Sequence, residues 1–172
     1  METNIRKIQK AIAIALALVL VALYFLVGIP STFGEKPIVD ALSYHFLHAN
    51  ILHLITNCYV LIILFSRRFS LKEMLEAYLI ATMSFLLLNQ HCVGFSNILY
   101  AVMGLRTPSL KSSWWRSPST IVFLLVTICY LFFPNISAIT HISSFIAGCF
   151  IAYADRIIKQ VNSDYEKAGR KR

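Results

Sequence analysis

Charged residues are scarce in this 172-residue chain: they make up 14% of its positions, whereas hydrophobic residues make up 58%. A soluble domain has about 25% charged and about 45–50% apolar positions. The composition therefore excludes a soluble globular domain and indicates a membrane protein. Six spans of about 20 residues would use about 120 positions, which leaves no room for a separate soluble domain. We expect one membrane domain over residues 1–172, with residues 1–10 and the basic tail 156–172 on the cytoplasmic side.

Cysteine is also rare and is never paired in a CxxC motif. The four cysteines lie in or beside apolar segments: Cys58, Cys92, Cys129 and Cys149. This spacing excludes a disulfide framework or a zinc ribbon as the organising feature, and we expect small buried hydrophobic residues instead.

Acidic residues are absent from the interior of every apolar segment, and no HExxH motif occurs. Paired-aspartate proteolysis and zincin chemistry are therefore excluded, and a transporter or channel lacks an ionisable pathway. A histidine-only metal site built from His45, His48 and His53 is a weak alternative, because zinc sites usually add cysteine or carboxylate ligands. The sequence implies no metal and no organic cofactor.

The formal net charge of +8 raises the question of a nucleic-acid partner. Apart from Lys36, however, the basic residues are confined to four groups, near 6–10, 67–72, 106–116 and 156–172. The apolar stretches between these groups are long enough to cross a bilayer twice, so each group lies on the same side. The positive-inside rule makes that side cytoplasmic, and the charge needs no nucleic-acid partner.

The apolar segments predict an all-α bundle of six membrane helices with both termini cytoplasmic. Their approximate bounds are 8–27, 51–65, 71–89, 96–105, 121–133 and 139–153. The fourth helix has only ten residues before Arg106, or about 15 Å, half of a hydrocarbon core of about 30 Å. Its amino end must lie inside the membrane zone, where irregular backbone has to be shielded by protein. We therefore expect this short helix at the centre of the bundle.

Polar groups inside apolar helices are costly, so they are candidates for function. His53 and Asn57 are four residues apart, on one face of the second helix. Ser96 opens the short fourth helix, with Tyr100 one turn below it. His141 is the only histidine on a later span, and a serine hydroxyl needs such a base to become a nucleophile.

Three spaced motifs carry a resemblance to the rhomboid intramembrane serine proteases. Residues 48–57, HANILHLITN, resemble the family's H-x4-H-x3-N signature, and residues 94–104, GFSNILYAVMG, resemble its G-x-S-x-x-x-Y-A run. His141 with Gly148 resembles the histidine and small-residue face of the last helix. The similarity covers the chain from the second span to the sixth.

This resemblance implies that Ser96 is the nucleophile and His141 the general base of a dyad without an acidic third member. It implies that His53, Asn57 and the backbone N–H of Ser96 surround the oxyanion. The substrates would be transmembrane segments of other proteins in a lipid bilayer, and the compact form suggests a bacterial cytoplasmic membrane.

The same resemblance assigns supporting roles to four further residues. Tyr100 would stack on the His141 imidazole, and His48 would be a hydrogen-bonding post for the outer segment. Gly94 and Gly148 are the small residues of the second and third motifs. Gly148 also belongs to a stripe with Ser144 and Ala152 that would let the sixth helix approach the fourth, or would serve packing alone.

The chain departs from the family pattern directly after the nucleophile. Asn97 replaces the usual glycine, so we expect a polar side chain where substrate backbone should pass. This departure motivates the alternative of a catalytically impaired, rhomboid-like pseudoprotease that binds membrane clients. Ser143 and Ser144 stand where glycine is common, and the first outer loop lacks a long insertion.

Structural interpretations remain open for several of these residues. Ser96 could be a helix N-cap, and His53 and Asn57 could form interhelical hydrogen bonds worth about 0.6–2 kcal/mol. We expect the remaining histidines exposed at the outer interface and the aromatic residues in an interfacial belt. These residues are His45, His91, Tyr44, Phe46, Trp114 and Trp115.

Overall fold

The computed structural model describes residues 2–27, 36–67, 69–88, 93–107 and 137–169. These residues form six α-helices and one 3-10 turn. The helices are α1 (Glu2–Leu26), α2 (Pro37–Ser43), α3 (Ile51–Arg67), α4 (Leu71–Leu88), α5 (Ser96–Arg106) and α6 (Ala138–Gly169), and the 3-10 turn is Tyr44–Phe46. The described residues contain no strand, and the protein is a helical membrane protein.

Helix starts follow from capping side chains in the sequence. Asn50 precedes α3, and its side-chain oxygen accepts the backbone N–H of His53 at 2.8 Å. Ser70 precedes α4 and accepts the N–H of Glu73 at 3.4 Å, while Ser137 precedes α6 and accepts the N–H of Thr140 at 3.3 Å. Each cap satisfies a backbone donor that the first helical turn leaves without an intrahelical acceptor.

Within the described residues, two helices are long and apolar enough to cross a membrane: α1 over Asn4–Leu26 and α6 over Ala138–Lys167. A third span results if Ile38–Phe46 and Ile51–Ser66, which meet at 77°, are counted together. The predicted fifth span, 121–133, lies outside the described residues together with Trp114, Trp115, His91, Cys92 and Cys129. The count of six spans stays a prediction.

The short helix α5 lies at the centre of the described bundle. Every residue from Ser96 to Gly104 is buried, whereas the other long helices expose large apolar side chains such as Leu18, Leu79 and Phe150. Helix α5 packs most extensively against α6 and then against α4, while α1 packs against α3. The expectation of a central short helix is confirmed.

The carboxyl end of α5 is held by an ion pair. Arg106 donates from Nε to Oε1 of Glu73 at 3.0 Å and from Nη2 to Oε2 at 2.7 Å. Its Nη1 donates to the carbonyl of Leu64 at 2.7 Å, and its guanidinium lies 5.3 Å from the centroid of the Phe65 ring. The two charged side chains are only 11% and 13% exposed. One residue therefore connects α5 to both α3 and α4.

Two features differ from the sequence expectation. The segment before α3, expected as a loop, contains α2 and the 3-10 turn, because Pro37 opens a short helix and Asp40 accepts the N–H of Lys36 at 3.0 Å.

Helix α6 continues to Gly169, well beyond the expected span end at residue 153. No glycine or proline interrupts residues 149–168, and the pair Lys159–Asp155 supports the helix at i,i+4 spacing.

Candidate active site

Ser96 is the first residue of α5 and is only 3% exposed. The N-cap position belongs to Phe95, whose side chain has no hydrogen-bonding group, and the Phe95 carbonyl accepts the N–H of Ile98 and Leu99. The Ser96 hydroxyl is instead joined to a side chain of another helix. The N-cap interpretation of Ser96 is therefore wrong.

That partner is His141, in the first turn of α6 and 1% exposed. Its Nε2 lies 2.6 Å from the Ser96 Oγ, within hydrogen-bonding distance. The ring of Tyr100 lies beside the imidazole, with centroids 4.6 Å apart and planes at 42°. The structure thus brings together the serine, the histidine and the tyrosine that the sequence places on separate turns and helices.

The close approach of α5 and α6 depends on a pair of glycines. A methyl group on Gly104 would lie 2.9 Å from the Cys149 nitrogen and 3.0 Å from the Cα of Gly148. A methyl group on Gly148 would lie 2.5 Å from the carbonyl oxygen of Ala101. Backbone meets backbone at this crossing, as small residues allow in membrane helices. Ser144 is fully buried on the same helix.

His53 and Asn57 of α3 form a second polar cluster with Gly94, which lies two residues before Ser96. His53 and Asn57 are 2% and 1% exposed. A methyl group on Gly94 would lie 2.7 Å from Nε2 of His53 and 3.3 Å from Nδ2 of Asn57. Gly94 also has a φ of 133°, which side chains rarely allow. A glycine is therefore required here by both space and backbone conformation.

Asn57 is buried with an unused donor. Its Nδ2 has no hydrogen-bond partner among the described residues. An amide donor in this state normally costs free energy unless a ligand, substrate or water accepts it. The cluster therefore has an unpartnered amide donor beside Gly94, two residues before Ser96.

His48 touches this cluster through its ring. It is 3% exposed, and its ring centroid lies 5.3 Å from that of His53 at an angle of 65°. Within the described part of the chain neither ring nitrogen has a hydrogen-bond partner. His48 thus contacts the His53 ring, and its role as a hydrogen-bonding post stays a prediction.

Tyr44 was expected in the interfacial belt and His45 exposed at the outer interface. Both predictions are wrong, because both side chains are fully buried. Nε2 of His45 lies 3.0 Å from Oγ1 of Thr82, and the Tyr44 ring stacks on Phe85 with centroids 4.3 Å apart. The 3-10 turn packs onto α4, which removes both side chains from the interface. Phe46 is half-buried.

Asn97 is bonded to the outer segment. It is 2% exposed, and its Nδ2 donates to the Tyr44 hydroxyl at 2.9 Å. The amide is thus directed to the outer segment, and the expectation of a polar side chain where substrate backbone should pass stays a prediction. The sequence carried no signal for this contact, because 53 residues separate the two partners.

The described residues give no support for metal binding. No group of three histidine, cysteine or carboxylate side chains in this part of the chain could hold an ion. His45 is bonded to Thr82 on α4, while His48 and His53 meet each other. The two described cysteines, Cys58 and Cys149, are free thiols and half-buried.

These observations define a helical membrane protein with a buried serine–histidine pair on its central short helix and last helix. The family model of the Rhomboid domain matches residues 35–157, most of the chain. The chain belongs to the rhomboid family, whose members are intramembrane proteases acting on membrane proteins. No curated protein and no solved structure matches the chain.

Proposed function

We propose that this protein is an intramembrane serine endopeptidase that cleaves peptide bonds in or beside transmembrane segments of other proteins. The single observation that carries the proposal is the 2.6 Å distance between the Ser96 Oγ and the His141 Nε2. Both side chains are buried in a helical bundle, and an imidazole nitrogen at this distance can accept the proton of the serine hydroxyl. Membership of the rhomboid family agrees with this chemistry.

In the proposed reaction, the Ser96 Oγ forms a bond to the scissile carbonyl carbon while its proton passes to Nε2 of His141. The carbon–nitrogen bond then breaks, and the imidazolium returns the proton to the leaving amine. A water molecule, deprotonated by the same imidazole, attacks the acyl group and releases the acid and the free serine. No metal or cofactor takes part in these steps.

The developing oxyanion requires hydrogen-bond donors. We assign this role to Asn57, His53 and the backbone N–H of Ser96, which opens α5 and is one of the donors that a helix start leaves without an intrahelical acceptor. The unpartnered Nδ2 of Asn57 supports this assignment. Gly94 gives these donors room, and His48 holds the His53 ring.

Two further residues orient the base in this proposal. Tyr100 packs beside the His141 imidazole, 4.6 Å between centroids. Gly148 allows α6 to approach α5 so that His141 reaches Ser96. A helical substrate has to unwind locally before its carbonyl reaches Ser96, so we expect helix-weakening glycine or proline near the cut.

We further propose that the chain is one membrane domain with both termini cytoplasmic and six spans. The four basic groups support this topology. A bacterial cytoplasmic membrane is the proposed location.

The test is covalent labelling and cleavage by the full-length protein in proteoliposomes. A fluorophosphonate probe and a panel of single-span substrates are compared for the wild type, Ser96→Ala and His141→Ala. We expect both variants to lose at least about 10³-fold in labelling and cleavage. Ser143→Ala is the matched control, because among the described residues the Ser143 hydroxyl bonds a carbonyl of its own helix, that of Thr140 at 3.0 Å.

Labelling that persists in Ser96→Ala would contradict the proposal. A folded wild type that is neither labelled nor active on any substrate would favour the pseudoprotease alternative. The bond of Asn97 to Tyr44 supports the protease proposal over that alternative, because it directs the amide to the outer segment.

A further inference from the structure

Tyr44 makes contacts on both sides of Ser96. Its backbone carbonyl accepts the N–H of Gly94 at 3.0 Å, and its hydroxyl accepts the amide of Asn97 at 2.9 Å. Gly94 is two residues before the serine and Asn97 is one residue after it. A single residue of the 3-10 turn therefore holds the chain two residues before and one residue after Ser96.

Tyr44 is itself fixed to a third element. Its hydroxyl donates to the carbonyl of Ala81 on α4 at 3.1 Å, and its ring stacks on Phe85 of the same helix. The buried hydroxyl thus donates one hydrogen bond and accepts another, so it is used both as a donor and as an acceptor. The chain of bonds from Asn97 through Tyr44 to Ala81 connects the amino end of α5 to α4.

We propose that Asn97 and Tyr44 are positioning residues that hold Ser96 at its reacting distance from His141. This inference rests on the proposed protease function. Helix α5 has no capping side chain, because its N-cap residue is Phe95. The Asn97–Tyr44 bond supplies the attachment that a cap would otherwise give, and it acts through the residue next to the nucleophile.

The inference reverses the expected effect of restoring the family's usual residue at position 97. If the Asn97 side chain obstructed substrate, Asn97→Gly would raise activity. Since the side chain instead holds the start of α5, both Asn97→Gly and Asn97→Ala lower it. The sign of this change distinguishes the two interpretations.

The experiment is a double-mutant cycle with Tyr44→Phe, Asn97→Ala and the combination of both. Tyr44→Phe keeps the ring stacked on Phe85 and removes only the hydroxyl. We expect each single variant to lower kcat and the labelling rate of Ser96 by about three- to tenfold, the effect of one buried hydrogen bond, while KM changes less than about twofold. The combined variant loses no more than the larger single loss, because both changes break the same connection.

Thr82→Val is the matched control. It removes the hydroxyl that bonds His45 and so weakens the attachment of the same 3-10 turn to α4, but it leaves the Tyr44–Asn97 bond in place. We expect a lower melting temperature with an unchanged labelling rate per folded molecule. This readout separates a positioning role from a merely structural one.

Rates are normalised to folded protein by active-site titration with the fluorophosphonate probe. Additive losses in the combined variant, unchanged rates in both single variants, or a gain in Asn97→Gly would each overturn the inference while the protease function stands. A wild type that is folded but unlabelled would overturn the protease function, and this inference with it.

Discussion

The two ends of α5 are fixed by different kinds of interaction. At the amino end, neutral groups join Ser96 to His141 and Asn97 to Tyr44, at 2.6 Å and 2.9 Å. At the carboxyl end, Arg106 forms a bidentate ion pair with Glu73. One helix of 11 residues thus has a neutral end and a charged end.

The neutral amino end of α5 suits the proposed reaction, whereas the charged carboxyl end attaches the helix to its neighbours. Charges interact strongly where water is excluded, so an ion pair beside Ser96 would bias the charged intermediates of the proposed reaction. Placed at the opposite end of the helix, the ion pair can hold α5 against α3 and α4 without this effect. We therefore expect variants at the carboxyl end to change stability and variants at the amino end to change rate.

The largest effect is expected from Glu73→Gln. The change leaves the Arg106 guanidinium, 11% exposed, without its counter-charge. Breaking a buried pair from one side costs about 3–5 kcal/mol of the free energy of unfolding. Unfolding in mixed micelles measures this loss, and the labelling rate of Ser96 per folded molecule should stay unchanged.

Asp155→Asn is the control for this prediction. It removes an i,i+4 ion pair with Lys159 on α6 whose side chains are 53% and 72% exposed, and such pairs contribute about 0.3–0.5 kcal/mol. Equal losses in Glu73→Gln and Asp155→Asn would contradict the idea that burial makes the α5 pair important.

Asn57→Ala is expected to have the next largest effect, and on rate alone. Removing one oxyanion donor lowers kcat by about 10²–10³-fold. Stability should not fall correspondingly, because the Nδ2 of Asn57 has no hydrogen-bond partner among the described residues. Single-turnover cleavage and thermal unfolding measured on one preparation test both parts, and a large loss of stability with an intact rate would refute the assignment.

Arg106→Lys should have the smallest effect of the three. Lysine keeps the charge but cannot bind both Glu73 oxygens and the Leu64 carbonyl in the fixed geometry of a guanidinium. We expect a loss of about 1.5–3 kcal/mol in the free energy of unfolding, the contribution of one hydrogen bond to a charged group. A loss as large as that of Glu73→Gln would show that bond geometry, rather than charge compensation, dominates at this end.

The sequence predicted the parts of this molecule that follow from spacing. The ten residues before Arg106 are too few to cross a membrane, and α5 is indeed central and buried. Ser96 and His141 were paired because few other polar groups stand inside apolar helices, and they are in contact. The motif glycines Gly104 and Gly148 lie at the helix crossing that makes this contact possible. The catalytic roles themselves remain predictions.

The contacts that were missed depend on how the outer segment folds back. An aromatic residue near a membrane interface has the same sequence pattern whether it faces lipid or packs onto a helix, so the burial of Tyr44 against α4 was not foreseen. The partner of Asn97 was hidden for the same reason. Helix α6 extends past the predicted span end at residue 153, because charged residues end a span without ending a helix.

The Gly104–Gly148 crossing has one more consequence. Side chains adapt by changing rotamer, but peptide units at van der Waals contact cannot, so the separation of the two helices there is a property of the main chain. Changes in bilayer thickness or in lipid-facing residues can tilt the pair as a whole, yet they leave its internal spacing intact. The reach of His141 to Ser96 is in this way insulated from the lipid environment.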